Sequence, residues 1–280
     1  MNRMRIIAIA GAAAAVSAGI AWAQFPIPGY LGKQAIDTSA AIPPAPAPGS
    51  PQAEADRAIF TATRALKGTP RWDMAVADLD ERRVVYAMRC AIGVEIKDLA
   101  DAPKLSRVLL RVAPDLTKAV DAPKAFYNRK RPYLEQEGEI CTTRSEALAK
   151  SPDYPSGHSS WGWAVGLVLA ELAPDRAVPI LQRARAFGES RAVCGVHSAS
   201  AVAAGRDNGA AVIAAVHGVP DFRADMEAAR VELAALRANG GGNPSGALAA
   251  WLDELGLPSP PEPACPPTTS NPTWPTDGSS

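Results

Sequence analysis

Apolar residues recur at three- and four-residue steps through much of the chain between residues 104 and 239, and this spacing is typical of amphipathic helices. The stretch KLSRVLLRVAPDLTKAV carries Leu105, Leu109, Val112 and Leu116 at these steps. Further helices are predicted for SSWGWAVGLVLAELAP, DRAVPILQRARAFGES, SASAVAAGRDNGAAVIAAV and PDFRADMEAARVELAALRAN. Because the alternating pattern of half-buried strands is scarce, the predicted fold class is all-α, a helical bundle.

Local signals refine the last three of these helices. Asp175 is a candidate N-cap for DRAVPILQRARAFGES, with Pro179 in the first turn. The next helix is rich in small residues, which suits close packing at the centre of a bundle. The last one ends at three consecutive glycines, a strong helix stop.

The N-terminal segment has the composition of a secretory signal peptide. Residues 1–23 combine Arg3 and Arg5 with a short apolar run and an Ala-x-Ala pattern, which predicts cleavage between Ala23 and Gln24. A lone N-terminal anchor helix is the less favoured alternative, because the apolar run is short and interrupted by glycine. The expected location is therefore periplasmic or secreted.

Composition also separates a compact unit from its flanks. Residues 24–52 and residues 258–280 are rich in proline, which predicts a poorly ordered arm and a similar tail. The predicted domain, residues 53–257, is long enough to bury a sizeable core. Its apolar stretches are interrupted by Gly, Glu or Arg, so no membrane span is expected in the mature chain.

Charge and cysteine content narrow the possible partners. Lys and Arg together number 29, as do Asp and Glu, so charge gives no indication of nucleic-acid binding. Export to an oxidising compartment allows up to two disulfides among four cysteines, for which three pairings exist. The cysteines are Cys90, Cys141, Cys194 and Cys265, and none has the spacing of a zinc site.

Three short stretches hold residue types suited to a phosphoryl group, although each alone is weak. A basic cluster is most often a solvated face, and a Pro-Ser-Gly turn is most often only a helix start. The stretches are KAFYNRKRP, PSGH and SRAVCGVH, and their candidate residues are Lys124, Arg131, Ser156, Gly157, His158, Arg191 and His197.

The combination has a chemical rationale. A phosphoryl transition state is highly anionic, and it is stabilised by several fixed donors such as arginine, lysine and the N–H groups at a helix N-terminus. A neutral imidazole can attack phosphorus while a second imidazole protonates the leaving oxygen. This chemistry requires no metal ion or cofactor, and vanadate is expected to act as a phosphate mimic.

The ordered pattern K-x6-RP, PSGH and SR-x5-H resembles the signature of the type 2 phosphatidic acid phosphatase (PAP2) superfamily, which includes the vanadium haloperoxidases. Within it the chain is similar to the bacterial class A non-specific acid phosphatases, also in YPSGH and SRAVCG, over about residues 100–236. The resemblance implies a helical bundle of this type and a secreted hydrolase of small phosphomonoesters.

The resemblance also implies roles for the matched residues. His197 would be the nucleophile, forming a phosphohistidine, and His158 the general acid and then the base. It favours Cys141–Cys194 as a disulfide near the site, whereas His217 matches no motif and is expected to be structural. The phosphate oxygens would be held by Lys124, Arg131, Ser156, Gly157 and Arg191.

One position departs from the family pattern. The third motif continues with an aspartate that orients the nucleophilic histidine, and here that position is Ala201. Loss of such a partner lowers turnover by about 10-fold to 10⁴-fold in other enzymes. If the residues after Cys194 are helical, Ser200 shares a face with His197 and could orient it, as could a water molecule, whereas Asp207 points elsewhere. The prediction is an acid phosphatase with reduced turnover.

Other readings stay open at this stage. The main alternative is a catalytically impaired protein of the same fold that binds phosphate or another oxyanion without turnover. A haloperoxidase and a lipid-phosphate phosphatase are less favoured. A helical bundle of this type could also form a homo-oligomer through an apolar helix face.

Overall fold

The structure is a computed structural model that describes residues 27–32 and 36–239. Within these ranges the chain is mainly helical and contains no strand, which confirms the all-α prediction. The α-helices are α1 (Pro51–Thr63), α2 (Pro70–Ala77), α3 (Val84–Ala87), α4 (Arg89–Ile92), α5 (Pro103–Tyr127), α6 (Glu146–Lys150), α7 (Gly157–Leu172), α8 (Ala177–Cys194), α9 (Ala199–His217) and α10 (Pro220–Ala238).

Helix α7 is the centre of the bundle. It packs against both α8 and α9, and α5 packs against α10 and also contacts α7 and α9. Its sequence is apolar around nearly the whole circumference, and Trp161, Val165 and Leu169 are all buried. A helix of this kind is stable only when other helices cover it on every side.

Small residues let α9 approach α7 very closely. A Cβ atom added to Gly205 would lie 2.5 Å from the Ser156 carbonyl oxygen and 2.9 Å from the Ser159 Cβ. Such distances are far below van der Waals contact, so glycine permits the observed spacing of the two helices. The close packing predicted from the composition of α9 is confirmed.

The start of α8 differs from the prediction. Its N-cap is Arg176, after a 3₁₀ turn over Pro174–Arg176, so the assignment of Asp175 as the cap is wrong. The Asp175 carboxylate instead accepts a hydrogen bond from the Arg237 guanidinium of α10, with an Nη1–Oδ1 distance of 2.9 Å. The ion pair between Asp175 and Arg237, which is distant in sequence, thus takes the place of the predicted cap.

The predicted N-terminal arm packs on the helices where it is described. The Tyr30 hydroxyl donates to Asp225 at 2.8 Å, the Thr38 hydroxyl donates to the Ala119 carbonyl at 2.8 Å, and Ile42 is buried. These contacts join the described part of the arm to the helices, and the predicted bounds of the arm, residues 24–52, stay a prediction. The predicted signal peptide, the predicted tail and the end of the predicted domain lie outside the described residues.

A disulfide fastens the end of α8. Cys141 and Cys194 are bonded, which confirms the favoured pairing. The Cys141 N–H also donates to the Cys194 carbonyl at 3.0 Å. Among the described helices, none is both long and apolar enough to cross a lipid bilayer.

Candidate active site

His197 lies in a tight turn between two helices. Helix α8 ends at Cys194, Gly195 follows with a φ of 80°, and α9 begins at Ala199 with Ser198 as its N-cap. The His197 N–H donates back to the Arg191 carbonyl at 3.3 Å, which keeps the turn compact. The residue is only 4% exposed, so its ring is surrounded by protein.

The two nitrogen atoms of the His197 ring have different neighbours. Nδ1 lies 2.7 Å from the carbonyl oxygen of Asp153 and 3.0 Å from its Oδ1. Nε2 lies 3.1 Å from Nη1 of Arg131. Because both neighbours of Nδ1 are acceptors and the neighbour of Nε2 is a donor, we assign the proton to Nδ1 and the lone pair to Nε2.

The positive charges of three cationic residues act on this ring. Burial lowers the pKa of His197 well below its ordinary value, and the positive charges of Arg131, Lys124 and Arg191 lower it further. The imidazole is therefore neutral at neutral pH. A neutral ring with its lone pair at Nε2 is the form that can act as a nucleophile.

Arg131 is held rigidly by backbone carbonyls. Its Nε donates to the Ser151 carbonyl at 2.7 Å, and its Nη1 donates to the Val196 carbonyl at 2.7 Å. Lys124, in the last turn of α5, donates from Nζ to the Pro152 carbonyl. Burial, followed by the charge of Arg131, lowers the pKa of Lys124 to about 7.

His158, the second residue of α7, is paired with a carboxylate that the sequence did not indicate. Its Nδ1 lies 3.0 Å from Oε1 of Glu81, and its ring stacks on Phe187 with centroids 4.3 Å apart. Its Nε2 is buried and has no hydrogen-bond partner among the described residues. Burial and then Arg191 lower the pKa of His158, while Glu81 opposes this shift.

The positive charge of Arg191 lowers the pKa of both imidazoles. It occupies the last turn of α8, and its Nε is buried without a hydrogen-bond partner within the described chain. Burial lowers its pKa to about 10; the charge of Glu81 opposes that shift, and the charge of Arg131 adds to it. Its guanidinium therefore has hydrogen-bonding capacity that the described protein groups leave unused at Nε.

Ser156 and Gly157 form the beginning of α7. The Ser156 hydroxyl accepts from the Ser159 N–H at 3.2 Å and so caps the helix. A Cβ on Gly157 would lie 3.5 Å from Val120, an ordinary contact, so packing alone does not demand glycine there. The role of both residues in binding phosphate stays a prediction.

Ser200 does not orient His197, and this prediction is wrong. Its hydroxyl donates to Oδ2 of Asp56 at 2.5 Å and accepts from Nη1 of Arg129 at 2.8 Å. The argument from helical spacing failed because α9 begins after His197. Ala201 itself is buried in an apolar cluster and contributes no polar group beyond its backbone.

Asp153 is the residue that sequence reasoning missed. It lies directly before the YPSGH stretch, whereas the search for a partner of His197 looked only further along the chain. Its carboxylate also accepts from the Ser198 N–H at 3.0 Å and from the Ser198 hydroxyl at 2.6 Å. Burial raises the pKa of Asp153, and the hydrogen bond from Ser198 and the charge of Arg129 oppose that shift.

Two residues to which the sequence analysis gave no role in the site lie away from His197. His217 ends α9, where its Nε2 lies 2.8 Å from Oε2 of Glu171. Asp207 is exposed on α9. The structure thus brings Lys124, Arg131 and Arg191 around His197, with His158 connected to them through Glu81 and Arg191, and leaves Ser200 out.

The sequence is similar to those of known proteins over much of its length. The family model described as PAP2 superfamily matches residues 108–225. The chain is 44% identical over 195 residues to an acid phosphatase of Zymomonas mobilis, a match that covers 69% of this chain and 74% of that protein. It is 36% identical to a non-specific acid phosphatase of Providencia stuartii, over 73% of this chain and 84% of that protein. A non-specific acid phosphatase of Salmonella typhimurium is 31% identical over 74% and 84% of the two chains.

Proposed function

The chain belongs to the PAP2 superfamily and is an acid phosphatase of it, and from this premise we propose that it hydrolyses a broad range of small phosphomonoesters through a phosphohistidine on His197. The description of two relatives as non-specific supports the breadth. The cationic groups that would bind the phosphoryl oxygens are Lys124, Arg131 and Arg191, joined by Ser156 and the N–H of Gly157 at the positive end of α7.

In the first step the lone pair of His197 Nε2 attacks phosphorus. The new P–N bond forms as the P–O bond to the alcohol breaks, and His158, protonated at Nε2, gives that proton to the leaving oxygen. The Nδ1 proton of His197 stays on the ring. The alcohol departs, and His158 is left neutral.

In the second step water attacks the phosphohistidine. His158 Nε2 now takes a proton from the water molecule as its oxygen bonds to phosphorus and the P–N bond breaks. His197 regains its lone pair, inorganic phosphate leaves, and both imidazoles return to their starting states. Glu81, bonded to His158 Nδ1, stabilises the protonated form on which the first step depends.

One observation carries the proposal. His158 Nε2 and Arg191 Nε are both buried without a hydrogen-bond partner among the described residues. Buried polar nitrogen atoms without partners are rare and costly in folded proteins. A phosphoryl group lying against His197 would give each of them an acceptor.

We further propose that the protein works in the periplasm. The pattern of residues 1–23 supports export. The Cys141–Cys194 disulfide supports the same location, because disulfides persist in oxidising compartments.

Trapping the intermediate tests the function. The protein is mixed with ³²P-labelled p-nitrophenyl phosphate and quenched in alkali, in which phosphohistidine is stable. We expect label on His197 in the wild type and none in His197→Ala. Turnover without label on His197 would contradict the mechanism, and binding of phosphate or vanadate without any turnover would identify the oxyanion-binding alternative instead.

The low pKa of Lys124 predicts a limit on the alkaline side of the pH profile. Because a lysine with a pKa of about 7 is charged only below that pH, phosphate binding by the free enzyme should weaken as pH rises through 7. We expect the binding of inorganic phosphate to weaken with an apparent pKa near 7. Binding is measured instead of kcat/KM because turnover also depends on the protonated form of His158, whose own pKa is lowered by burial. Lys124→Arg keeps its charge and should move this apparent pKa up by about one pH unit or more. If the apparent pKa did not change in Lys124→Arg, the titration would belong to another group, such as the phosphate itself.

A further inference from the structure

We propose that Asp153 is the positioning residue of the nucleophile, and that it supplies from a loop the carboxylate that Ala201 cannot supply from α9. The inference rests on the proposed function of His197 as nucleophile. It replaces the expectation of reduced turnover, because the acid missing from the third motif is provided by another part of the chain.

The contacts of Asp153 are those that such a role requires. Its carbonyl oxygen and its Oδ1 lie 2.7 and 3.0 Å from His197 Nδ1, so two acceptors of one residue fix the ring and its tautomer. The opposite nitrogen, Nε2, is thereby directed towards Arg131, 3.1 Å away, and towards the cationic surroundings. No rotation of the ring could exchange the two nitrogen atoms without losing these bonds.

The carboxylate of Asp153 is itself held in place. Oδ1 accepts from the Ser198 N–H and Oδ2 from the Ser198 hydroxyl, at 3.0 and 2.6 Å. Arg129 lies 3.6 Å from Oδ2, which places a positive charge beside the carboxylate. The side chain is fully buried, so it keeps one orientation instead of exchanging hydrogen bonds with water.

The negative charge adds an electronic effect to the orientation. When Nε2 bonds to phosphorus, the ring gains positive charge while Nδ1 keeps its proton. A carboxylate at Nδ1 stabilises that charged ring, which a serine hydroxyl or a water molecule would do much less. Asp153 therefore stabilises the transition state of the first step more than it stabilises the free enzyme.

Apolar side chains pack around Ala201, which agrees with a carboxylate supplied from position 153. Ala201 is completely buried and packs with Ile42 and Tyr154. The Ser156 N–H donates to the Ala201 carbonyl at 3.0 Å, so α9 also bonds the start of α7 at this position. The chain thus uses position 201 for packing and position 153 for the acid.

The main test compares two buried carboxylates. Asp153→Asn removes the charge at Nδ1, and Asp115→Asn is the matched control, because Asp115 is equally buried and its pKa is also raised by burial, but it bonds to Leu31. We expect Asp153→Asn to slow phosphohistidine formation by about 10²-fold to 10⁴-fold and to change the inhibition constant for phosphate by less than about threefold. The control should stay within about twofold of the wild type. Phosphohistidine formation at the wild-type rate in Asp153→Asn would overturn the proposal.

A second variant leaves Asp153 intact. Ala201→Asp restores the family residue, and because Nδ1 already has a carboxylate partner, we expect no rise in kcat beyond about twofold. A rise of about tenfold or more would show that the nucleophile lacked an acid, and the proposal would be wrong.

A spectroscopic readout separates this inference from the proposed function. The Nδ1 proton of His197, bonded to a carboxylate, should resonate far downfield in the proton NMR spectrum and move upfield in Asp153→Asn but not in Asp115→Asn. If the wild type formed no phosphohistidine, the proposed function would fail, and this resonance would still decide the role of Asp153. An unchanged resonance in Asp153→Asn would refute it.

Discussion

Replacing His197 with alanine is expected to lower kcat for p-nitrophenyl phosphate by about 10⁴-fold or more, because it removes the nucleophile that we propose. Phosphate binding should be reduced much less, by under about tenfold. Arg131 keeps its bonds to the Ser151 and Val196 carbonyls, so the cations stay in place without the imidazole. Steady-state kinetics, with inorganic phosphate as a competitive inhibitor, measure both effects.

The chain contains its own control for this result. His217 also lies in a helical region and also pairs with a carboxylate, that of Glu171, but it lies at the far end of α9. His217→Ala should retain kcat within about twofold. If His197→Ala kept more than about 1% of the wild-type kcat, another residue would have to be the nucleophile.

The second large effect is expected at Arg191, where function and stability should move in opposite directions. Arg191→Met should lower kcat/KM by about 10²-fold to 10³-fold, the usual cost of losing one donor to a transition-state oxyanion. The same variant should unfold at a higher temperature in the absence of phosphate. Wild-type protein should gain thermal stability from added phosphate, and the variant should gain much less.

The sign of the stability change follows from the pKa of Arg191. Burial lowers that pKa to about 10, which means that the folded protein disfavours the charged form. Below pH 10 the charged form predominates, so at neutral pH the charge destabilises the fold, and methionine removes it while filling a similar volume. Its Nε bonds no described group, so that atom leaves no partner unsatisfied.

Arg183 is the matched control, on the same helix. Its Nη1 donates to Oδ2 of the buried Asp78 at 3.1 Å, and its Nε donates to the Ala87 carbonyl at 3.1 Å. Arg183→Met should therefore lower the unfolding temperature, because it leaves a buried carboxylate without its cation, and it should keep the response to phosphate. An Arg191→Met variant that lost stability as Arg183→Met does would mean that Arg191 is a structural residue.

The helices could be predicted because their signals are local. Apolar spacing marks α5 and α10, and small residues predict close packing of α9, which the contact of Gly205 with the start of α7 confirms. The proline-rich composition of residues 24–52 predicted an extended arm, and residues 36–50 contain no helix. The composition did not reveal that single side chains, Thr38 and Ile42, are buried against the bundle, since irregular backbone can still pack.

The polar partners could not be predicted because they join parts of the chain that are far apart. Asp153 is 44 residues from His197, and Glu81 is 77 residues from His158. Helical spacing suggested Ser200, but this argument applies only within one helix, and His197 lies in the turn before α9. The motifs identified the groups that would contact phosphate, whereas the groups behind them depend on the tertiary fold.

The contact of Gly205 with the Ser156 carbonyl also constrains how this protein can be altered. Any larger residue there would wedge the first turn of α7 outward, and His158 would move relative to His197 although the substituted position touches neither ring. Libraries built to broaden or shift substrate preference should therefore leave this face of α9 unvaried. Diversity is better placed on exposed positions away from this contact.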